Sequence, residues 1–455
     1  MSGSRDHGGL ITLCLLLSCR LVVALDAASN NPAPLNPAFN GSPESPFTSS
    51  PNANASTPAL MALPANVGNS TDSSTSTKFY TLSASLREIY DDNVNTSDKN
   101  PIASFETQLS PSVLVDFPME NSNFSARYTL GLTYYSDYNG GNQSNGNNNN
   151  NKGNGGGGSL DYTHEFVAQY SHSFSDRFNL ALAEQFRYYT DPSIFESTGT
   201  LYRNGSYVSN SFNGSIGAQW TPLFGTTTTY ANTTVRYDEA AVAFAQDNEE
   251  NTASQTFSFA VLPKINASFG AILDDITYDH ILRGYTSYTG FLGMQWQALP
   301  SLSFTGRGGA SYTETLQDQS SLSPYAALSA DWILGKRSGL SFNYSHEVTP
   351  SDQVGANGQT SDRVTGNFRY DILTNLSTHL QLIFTEAEYT NLLTKTSNLN
   401  SNYNETDYGV DTGVAYHYNS RFDFDFDLTF SGVSSDNVAS KYTRDQVSVG
   451  VRGTY

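Results

Sequence analysis

The sequence has little cysteine, little positive charge and almost no long apolar stretch. Its 455 residues include two cysteines, Cys14 and Cys19, so a chain cut after residue 27 would contain no disulfide. Lys and Arg number 23 against 43 Asp and Glu, and the formal net charge is −20. A nucleic acid partner requires a basic surface. We therefore expect no nucleic acid binding.

The apolar stretch that does exist lies at the N-terminus, in residues 1–27. A basic residue, Arg5, is followed by apolar runs at 10–17 and 21–25 and then by small residues, which is typical of a Sec signal peptide cleaved near Ala27. Arg20 interrupts the apolar core, and a lipidated Cys19 in "LLSC" is the alternative. Elsewhere no segment approaches the roughly 18 apolar residues that a membrane helix needs, so a membrane-bound form would be a barrel.

Residues 28–77 are rich in Asn, Pro, Ser and Thr. A segment of this composition buries too little apolar surface to fold. We expect a disordered periplasmic leader here, followed by a single folded unit over residues 78–455.

From residue 78 onward, apolar and polar residues alternate. The segment "RFDFDFDLTF" at 421–430 is the clearest example, because every second residue is aromatic or aliphatic and Asp lies between them. Alternation with period two predicts β-strands that have one apolar face. The fold class expected is therefore all-β.

The connections between these strands are alternately long and short. This alternation is typical of an up-and-down antiparallel transmembrane β-barrel with short periplasmic turns and long outer loops, and the pattern gives about eighteen strands. About sixteen is the alternative count, because segments 226–237 and 269–279 are weakly patterned. A soluble sandwich or β-helix would also alternate.

Aromatic residues at a constant level favour the membrane barrel over a soluble fold. All three tryptophans directly precede short connections, and the predicted aromatic girdle consists of Trp220, Trp296, Trp332, Phe174 and Tyr418. The last strand must pair with the first, since a barrel leaves no free edge. We expect Tyr455 to be a girdle residue and also the signal read by the outer-membrane assembly machinery.

The start of the predicted barrel carries a family resemblance. The segment "SLREIYDDNVNTSDKNPIASFETQLSPSVLVDF" at 85–117, with its YDDN turn and "LSPSV", resembles the family called putative beta-barrel porin 2, and "ARYTLGLTYYSDY" at 126–138 is similar too. The resemblance implies a barrel in the outer membrane of a Gram-negative cell that acts alongside exopolysaccharide export or uptake. It implies no catalytic residue.

The polar face is where we expect function. Barrels of this size enclose an aqueous lumen, and charged rings there bias which ions pass. Some pairing is expected, with Arg452 neutralising part of the ladder of three aspartates, and a weak cation preference would remain. The candidate lumen charges are Asp423, Asp425, Asp427, Arg87, Arg127, Arg187, Arg307, Arg369 and Arg452.

Catalytic and metal-binding patterns are weak. Interfacial packing is the favoured interpretation of His164, His172 and His346, which fall on the apolar face near strand ends. No His pair has metal-ligand spacing with a third partner nearby. YDDN at 90–93 could supply oxygens to Ca²⁺, but Asp and Asn also favour turns, and the turn is the preferred interpretation. We expect neither an enzyme nor a cofactor.

The sequence thus predicts an outer-membrane barrel that acts as a passive pore or conduit for solutes. The expected partners are outer-membrane lipid, the assembly machinery, and polysaccharide or small solutes. A closed structural barrel that anchors a cell-surface complex is the second hypothesis, and a barrel hydrolase is the third.

Overall fold

The computed structural model describes residues 79–137, 159–190, 206–317, 319–351, 356–389, 403–436 and 441–455. The predicted signal peptide and leader lie outside these residues. The chain divides into two compact units, and all described residues belong to the second, Ser49–Tyr455. Among the described residues, no helix is long and apolar enough to cross a bilayer.

The described part consists of eighteen strands and one short helix. The strands are β1 Tyr80–Asp91, β2 Ser104–Pro118, β3 Ser122–Tyr135, β4 Ser159–Ser175, β5 Phe178–Tyr189, β6 Tyr207–Thr221, β7 Phe224–Tyr237, β8 Asn248–Leu262, β9 Ile265–Tyr278, β10 Gly284–Leu299, β11 Leu302–Thr315, β12 Ser320–Ile333, β13 Ser338–Pro350, β14 Gly358–Leu373, β15 Leu376–Tyr389, β16 Tyr403–His417, β17 Phe422–Ser435 and β18 Tyr442–Thr454, and the helix α1 is Ala240–Gln246.

Every strand pairs antiparallel with its neighbours along the chain, and β1 also pairs with β18. The closing register runs from Ser83 opposite Thr454 to Asp91 opposite Gln446. Closure extends to the last residue, because Tyr455 N donates to Leu82 O at 2.8 Å and Leu82 N donates to Tyr455 O at 3.2 Å. The prediction of an all-β barrel with about eighteen strands is confirmed.

The barrel has two ends. At the turn end lie the short connections, the start of β1 and the end of β18, and the opposite end is the loop end. Along each strand, large apolar side chains are exposed on the outer face while the alternating polar residues lie half-buried on the inner face. This alternation follows from the period of a strand, and it is what places polar residues around the lumen.

The two weakly patterned segments are strands β7 and β9. Threonines of β7 form hydrogen bonds to neighbouring strands, as in the Thr229–Ser254 contact at 2.5 Å. This Thr-rich strand therefore shows little contrast between an apolar face and a polar face. In β9, Ile272 and Ile276 lie on the inner face within buried apolar clusters. The inner face of β9 is therefore partly apolar, like its outer face, so its sequence shows only a weak apolar–polar alternation.

At the loop end, β13 separates from β12 while β14 stays paired with β15 as far as Gln359 opposite Tyr389. Pairing between β12 and β13 stops at Ala326 opposite His346, whereas β13 and β14 stay paired as far as Pro350 opposite Gly358. Val348 packs against the cluster that contains Ile276 and Tyr285. Because that cluster lies on the inner face of β9 and β10, the loop-end part of β13 lies against the inner surface of the barrel.

Candidate functional site

Asp423, Asp425 and Asp427 form a ladder on the inner face of β17. Phe422, Phe424 and Phe426 between them are exposed on the outer face. The aspartate side chains keep 33%, 22% and 15% of their accessible surface. The ladder therefore borders accessible space inside the barrel.

Arg87 of β1 is the cation that contacts this ladder. Its Nη2 lies 2.5 Å from Asp425 Oδ2, and its Nη1 lies 3.1 Å from Asp427 Oδ2. Arg87 and Asp425 both stand opposite Gly450 of β18, one on each side. A Cβ on Gly450 would lie 2.5 Å from Asp425 Oδ2, so only glycine lets the two side chains meet across the intervening strand.

The expected partner of the ladder was Arg452, and the structure places it differently. Arg452 stands opposite Asp423 in register, yet within the described chain it makes no ion pair. Asp423 Oδ1 instead lies 2.7 Å from His417 Nδ1. Neutralisation of the ladder is therefore partial. The arginine that contributes to it is Arg87 of β1, which lies across the closing seam from β18.

A second polar contact continues from Asp427 to Asp411 of β16. His379 Nε2 of β15 lies 3.0 Å from Asp411 Oδ2 and 3.8 Å from Asp427 Oδ1, and Thr429 Oγ1 donates to Asp411 Oδ1 at 2.7 Å. Gly413 stands between His379 and Asp427 in register, in the same way that Gly450 separates Arg87 from Asp425.

These groups surround a cavity of about 250 Å³ in the lumen wall. Two carboxylates, one guanidinium and one imidazole line it, so the cavity offers both hydrogen-bond donors and acceptors to a polar solute. Its lining residues are Arg87, Ile89, His379, Asp411, Asp427, Thr429, Gln446 and Ser448.

The remaining predicted lumen charges are spread around the barrel. Arg187 donates from Nη2 to Glu165 Oε1 at 3.1 Å, directly opposite it in register. Arg369 Nε lies 3.4 Å from Asp371 Oδ1, and Arg307 lies over the Phe291 ring at 4.9 Å. Arg127 is on the inner face of β3, and in the part of the chain described it forms no ion pair. These residues do not form one cluster with the ladder.

Buried acidic groups line the wall near the loop end. Asp274 of β9 accepts hydrogen bonds from Thr252 Oγ1 at 3.0 Å and from Tyr285 Oη at 3.3 Å. Glu250 of β8 and Glu347 of β13 are buried on the same inner surface. The sequence alone did not single out this group.

Three connections meet at the loop end around Arg283, which the sequence analysis also missed. It lies between β9 and β10, its side chain is 0% exposed, and it contacts the connection that contains α1 and the connection between β13 and β14. The mouth of the lumen is therefore covered in part by chain segments tied to one side chain.

The YDDN motif lies at the loop end of the closing seam. Asp91 Oδ2 accepts from Arg444 Nε at 2.6 Å and from Gln446 Nε2 at 2.9 Å, and Asp91 Oδ1 accepts from Asn93 N at 2.8 Å. Asn93 Nδ2 in turn donates to Thr443 O at 2.7 Å. The motif ties β1 to β18, and its Asp91 oxygens are already occupied by donors.

The predicted girdle residues all lie on the outer face at the turn end. Each large aromatic ring is substantially exposed, and Trp220 Nε1 donates to Thr226 Oγ1 at 2.9 Å. Tyr455 is exposed at the same end. Amphipathic rings of this kind suit a membrane–water interface. The set comprises Trp220, Trp296, Trp332, Phe174, Tyr418 and Tyr455.

The outer-face histidines have polar partners among their neighbours. His164 Nδ1 lies 2.7 Å from Tyr128 Oη, and His172 Nδ1 lies 2.6 Å from Ser122 Oγ. His172 also stacks with Tyr170 and meets the Phe174 ring edge-on. Among the described residues no carboxylate bonds to His172, so the Ser122–His172 pair lacks the third member of a triad.

Among the residues that the structure describes, one group of side chains has donor atoms close enough for a metal. Asp247, Asp279 and His280 at the loop end each offer one ligand atom within 4.8 Å of the others. Asp279 Oδ2 is already 3.1 Å from Arg236 Nη2, and Asp247 Oδ1 accepts from Tyr237 N at 2.8 Å. These contacts hold the two carboxylates without a metal ion, and we assign no metal to them.

The chain has matches among solved structures and to one family model. No curated protein matches the chain. Similar solved structures include OccAB2 of Acinetobacter baumannii (10% identity, TM-score 0.42, 83% of this chain and 98% of that chain) and the outer membrane protein opdK of Pseudomonas aeruginosa (12%, 0.43, 83% and 98%). A BenF-like porin from Pseudomonas fluorescens Pf-5 is similar at 11% identity, TM-score 0.43, with 83% and 99% covered.

The family model "Putative beta-barrel porin 2" matches residues 80–455, which is the whole closed barrel from β1 to Tyr455. The resemblance read from YDDN and "LSPSV" is thus confirmed. In an outer-membrane barrel the turn end faces the periplasm and the loop end faces the exterior. The chain belongs to the Putative beta-barrel porin 2 family and is a porin-like barrel of the outer membrane.

Proposed function

We propose that the barrel is a passive pore for small polar solutes with a weak preference for cations. The supporting observation is the aspartate ladder, whose carboxylates face the lumen and keep part of their accessible surface. Three like charges on one strand stay ionised where water or cations screen them. A hydrated lumen meets that condition, and eighteen strands enclose enough space for one.

The cation preference follows from incomplete neutralisation. Arg87 serves both Asp425 and Asp427, while Asp411 and Asp423 contact histidines. One guanidinium carries a single positive charge, so it cannot neutralise both of the carboxylates that it contacts. Acidic groups lining a pore raise the local concentration of cations and lower that of anions.

Planar-bilayer recording tests the pore directly. Purified, folded protein should insert and give discrete conductance steps in KCl. If preparations that are demonstrably folded, as judged by a band shift on boiling, give no steps, the pore proposal fails.

A closed structural barrel is the second candidate, and one observation favours it. The connections that meet around Arg283, and the loop-end part of β13 that packs against the inner face of β9 and β10, cover part of the mouth. Such a barrel would anchor a cell-surface complex instead of conducting. Absence of conductance together with normal surface exposure would select this function.

The link to exopolysaccharide rests on the family resemblance alone. Polysaccharide synthesis or export genes beside this gene would support a role as an export conduit. Loss of secreted polysaccharide on deletion, restored by the intact gene, would be the corresponding cellular test.

Export and insertion complete the proposal. The N-terminal 27 residues would direct the chain through the Sec pathway, and the assembly machinery would read the strand that ends at Tyr455. Outer-membrane lipid would contact the exposed apolar face. The hydrolase alternative is tested by a lipase assay, in which a serine-dependent activity abolished by changing Ser122 to Ala would overturn the non-enzymatic proposal.

A further inference from the structure

Arg283 is a buried arginine in a connection at the loop end, where charged side chains are usually exposed. Its side chain is 0% exposed, and its guanidinium lies over the Tyr278 ring at 4.0 Å. Burying a guanidinium is costly unless its donors are all occupied. The partners that occupy them therefore indicate what this residue does.

The guanidinium donates to two other connections in different directions. Nε donates to Ala356 O at 2.7 Å, Nη2 donates to Ser351 O, and Nη1 donates to Ala245 O at 3.2 Å. Nη1 also lies 3.3 Å from Gln246 Oε1. The rigid five-donor fork of arginine can hold several carbonyl oxygens at once, which a lysine ammonium on a flexible stem cannot do as well.

The connections it joins arise from separate parts of the wall. Ala245 and Gln246 belong to α1 between β7 and β8, whereas Ser351 directly follows β13 and Ala356 precedes β14. Strands β11 and β12 stand between β10 and β13 in the sheet. At roughly 4.8 Å per strand, contact between these connections requires that they reach across the inside of the barrel.

Two further hydrogen bonds hold the connection between β13 and β14 against β9 and β10. Tyr278 Oη donates to Ser351 O at 3.0 Å, and Gly284 N donates to Asn357 Oδ1 at 3.3 Å. Tyr278 lies under the Arg283 guanidinium and Gly284 follows Arg283 in the chain, so Ser351 and Asn357 are both held close to this guanidinium.

We propose that Arg283 is a positioning residue that sets the width of the loop-end mouth by clasping three connections over the lumen. This inference rests on the proposed pore function for its effect on conduction, but the clasp itself is independent of conduction. Removing the guanidinium takes its donors from Ala245 O and Ala356 O and leaves Ser351 O with the Tyr278 hydroxyl, and Ser351 and Ala356 should then spend more time away from β9 and β10.

A cysteine probe measures this opening without any ion current. Ser351 is 2% exposed, and Ser351→Cys changes one atom of the side chain. In intact cells, a membrane-impermeant maleimide should label Cys at this position slowly in the parent background. Adding Arg283→Ala should speed labelling at least about tenfold, since losing one hydrogen bond to a charged group shifts an opening equilibrium by roughly that factor.

Matched variants separate the clasp from general effects. Arg307→Ala removes another inner-face cation without touching these connections, and labelling at Ser351→Cys should remain slow in it. If Ser351→Cys protein fails to show a band shift on boiling, Ala356→Cys, which replaces a residue 2% exposed, is the second probe position. Slow labelling in the Arg283→Ala background at a folded probe position would overturn the proposal.

Conductance measurements then test whether Arg283 sets the width of the loop-end mouth. Arg283→Ala should give larger single-channel steps than the parent and should admit larger polyethylene glycols in exclusion measurements. Faster labelling with an unchanged exclusion limit would show that the clasp does not set the width, and would overturn the proposal. A parent that never conducts, combined with faster labelling and conducting Arg283→Ala channels, would refute the open pore in the parent while supporting the clasp.

Discussion

Arg444 donates its Nε–H to the Asp91 carboxylate at 2.6 Å, and this ion pair fastens β18 to β1 at the loop end of the closing seam. Both side chains are buried, and the second contact from Arg444 Nη2 to the same oxygen is also 2.6 Å. Closing the first strand on the last is the step that removes the free edges of the sheet. The YDDN motif therefore contributes to barrel closure through its first aspartate.

Replacing Asp91 by Asn should weaken the seam. The variant would leave Arg444 buried without its carboxylate, and loss of one partner of a buried pair costs on the order of 3 kcal/mol. We expect the temperature at which the folded gel band converts to the unfolded band to fall. Asp98→Asn, an exposed change in the same connection, is the control and should leave that temperature unchanged.

Replacing Asp423, Asp425 and Asp427 together by Asn should reduce cation preference. The change keeps side-chain size and strand pattern while removing three charges from the lumen. The shift should be largest at low salt, because the Debye length is about 30 Å at 0.01 M and about 3 Å at 1 M. The measurement is the reversal potential of single channels in a salt gradient. Asp98→Asn with Asp176→Asn and Asp436→Asn removes three charges outside the ladder, and an equal shift there would contradict this prediction.

Replacing Arg87 by Gln should have the opposite effect on selectivity. Arg87 neutralises Asp425 and Asp427, so its loss leaves more net negative charge at the same place. We expect a stronger cation preference at low salt, with Arg177→Gln at a turn as the control. A shift toward anions would mean that the ladder does not face the conduction path.

Changing Tyr455 to Asp should impair insertion into the outer membrane. The Tyr455 backbone pairs with Leu82 in the parent, and the ring is exposed among the girdle aromatics. Tyr455→Phe keeps the aromatic ring and should assemble normally. Surface levels are measured by antibody or protease access on intact cells, and normal levels of the Asp variant would remove the assembly-signal interpretation.

The strand count and the facing of the strands could be predicted because both depend on local order along the chain. Alternation in "RFDFDFDLTF" specifies which side of β17 faces lipid, whatever its neighbours are. The two strands that the pattern left weak, β7 and β9, differ for physical reasons. In β7, threonines form cross-strand hydrogen bonds. In β9, Ile272 and Ile276 pack in apolar clusters on the inner face with residues distant along the chain, which local order does not predict.

The partner of the ladder could not be predicted in the same way. The sequence suggested Arg452, which is opposite Asp423, but the contact with Asp425 comes from Arg87, 338 positions away along the chain. Its cause is the absence of a side chain at Gly450, which opens a path between the strands on either side. To predict a contact between side chains two strands apart, the registers of both intervening strand pairs must be known. Here these are the β1–β18 and β17–β18 pairings, and the closed barrel gives both.

Arg283 carried no periodic signal at all. It lies in a connection, and its partners are mostly backbone carbonyl oxygens, which every residue type presents. The residue types in the sequence therefore could not identify the partners of Arg283. The loop-end mouth is the part of the site that required the three-dimensional structure.

The most direct test of a cation-preferring pore is the reversal potential of the parent barrel in a planar bilayer under a KCl gradient at low salt. We expect discrete channels whose reversal potential has the sign of a cation preference, diminishing as the salt concentration rises. Folded protein that gives no channels, or channels that favour chloride at low salt, would contradict this function.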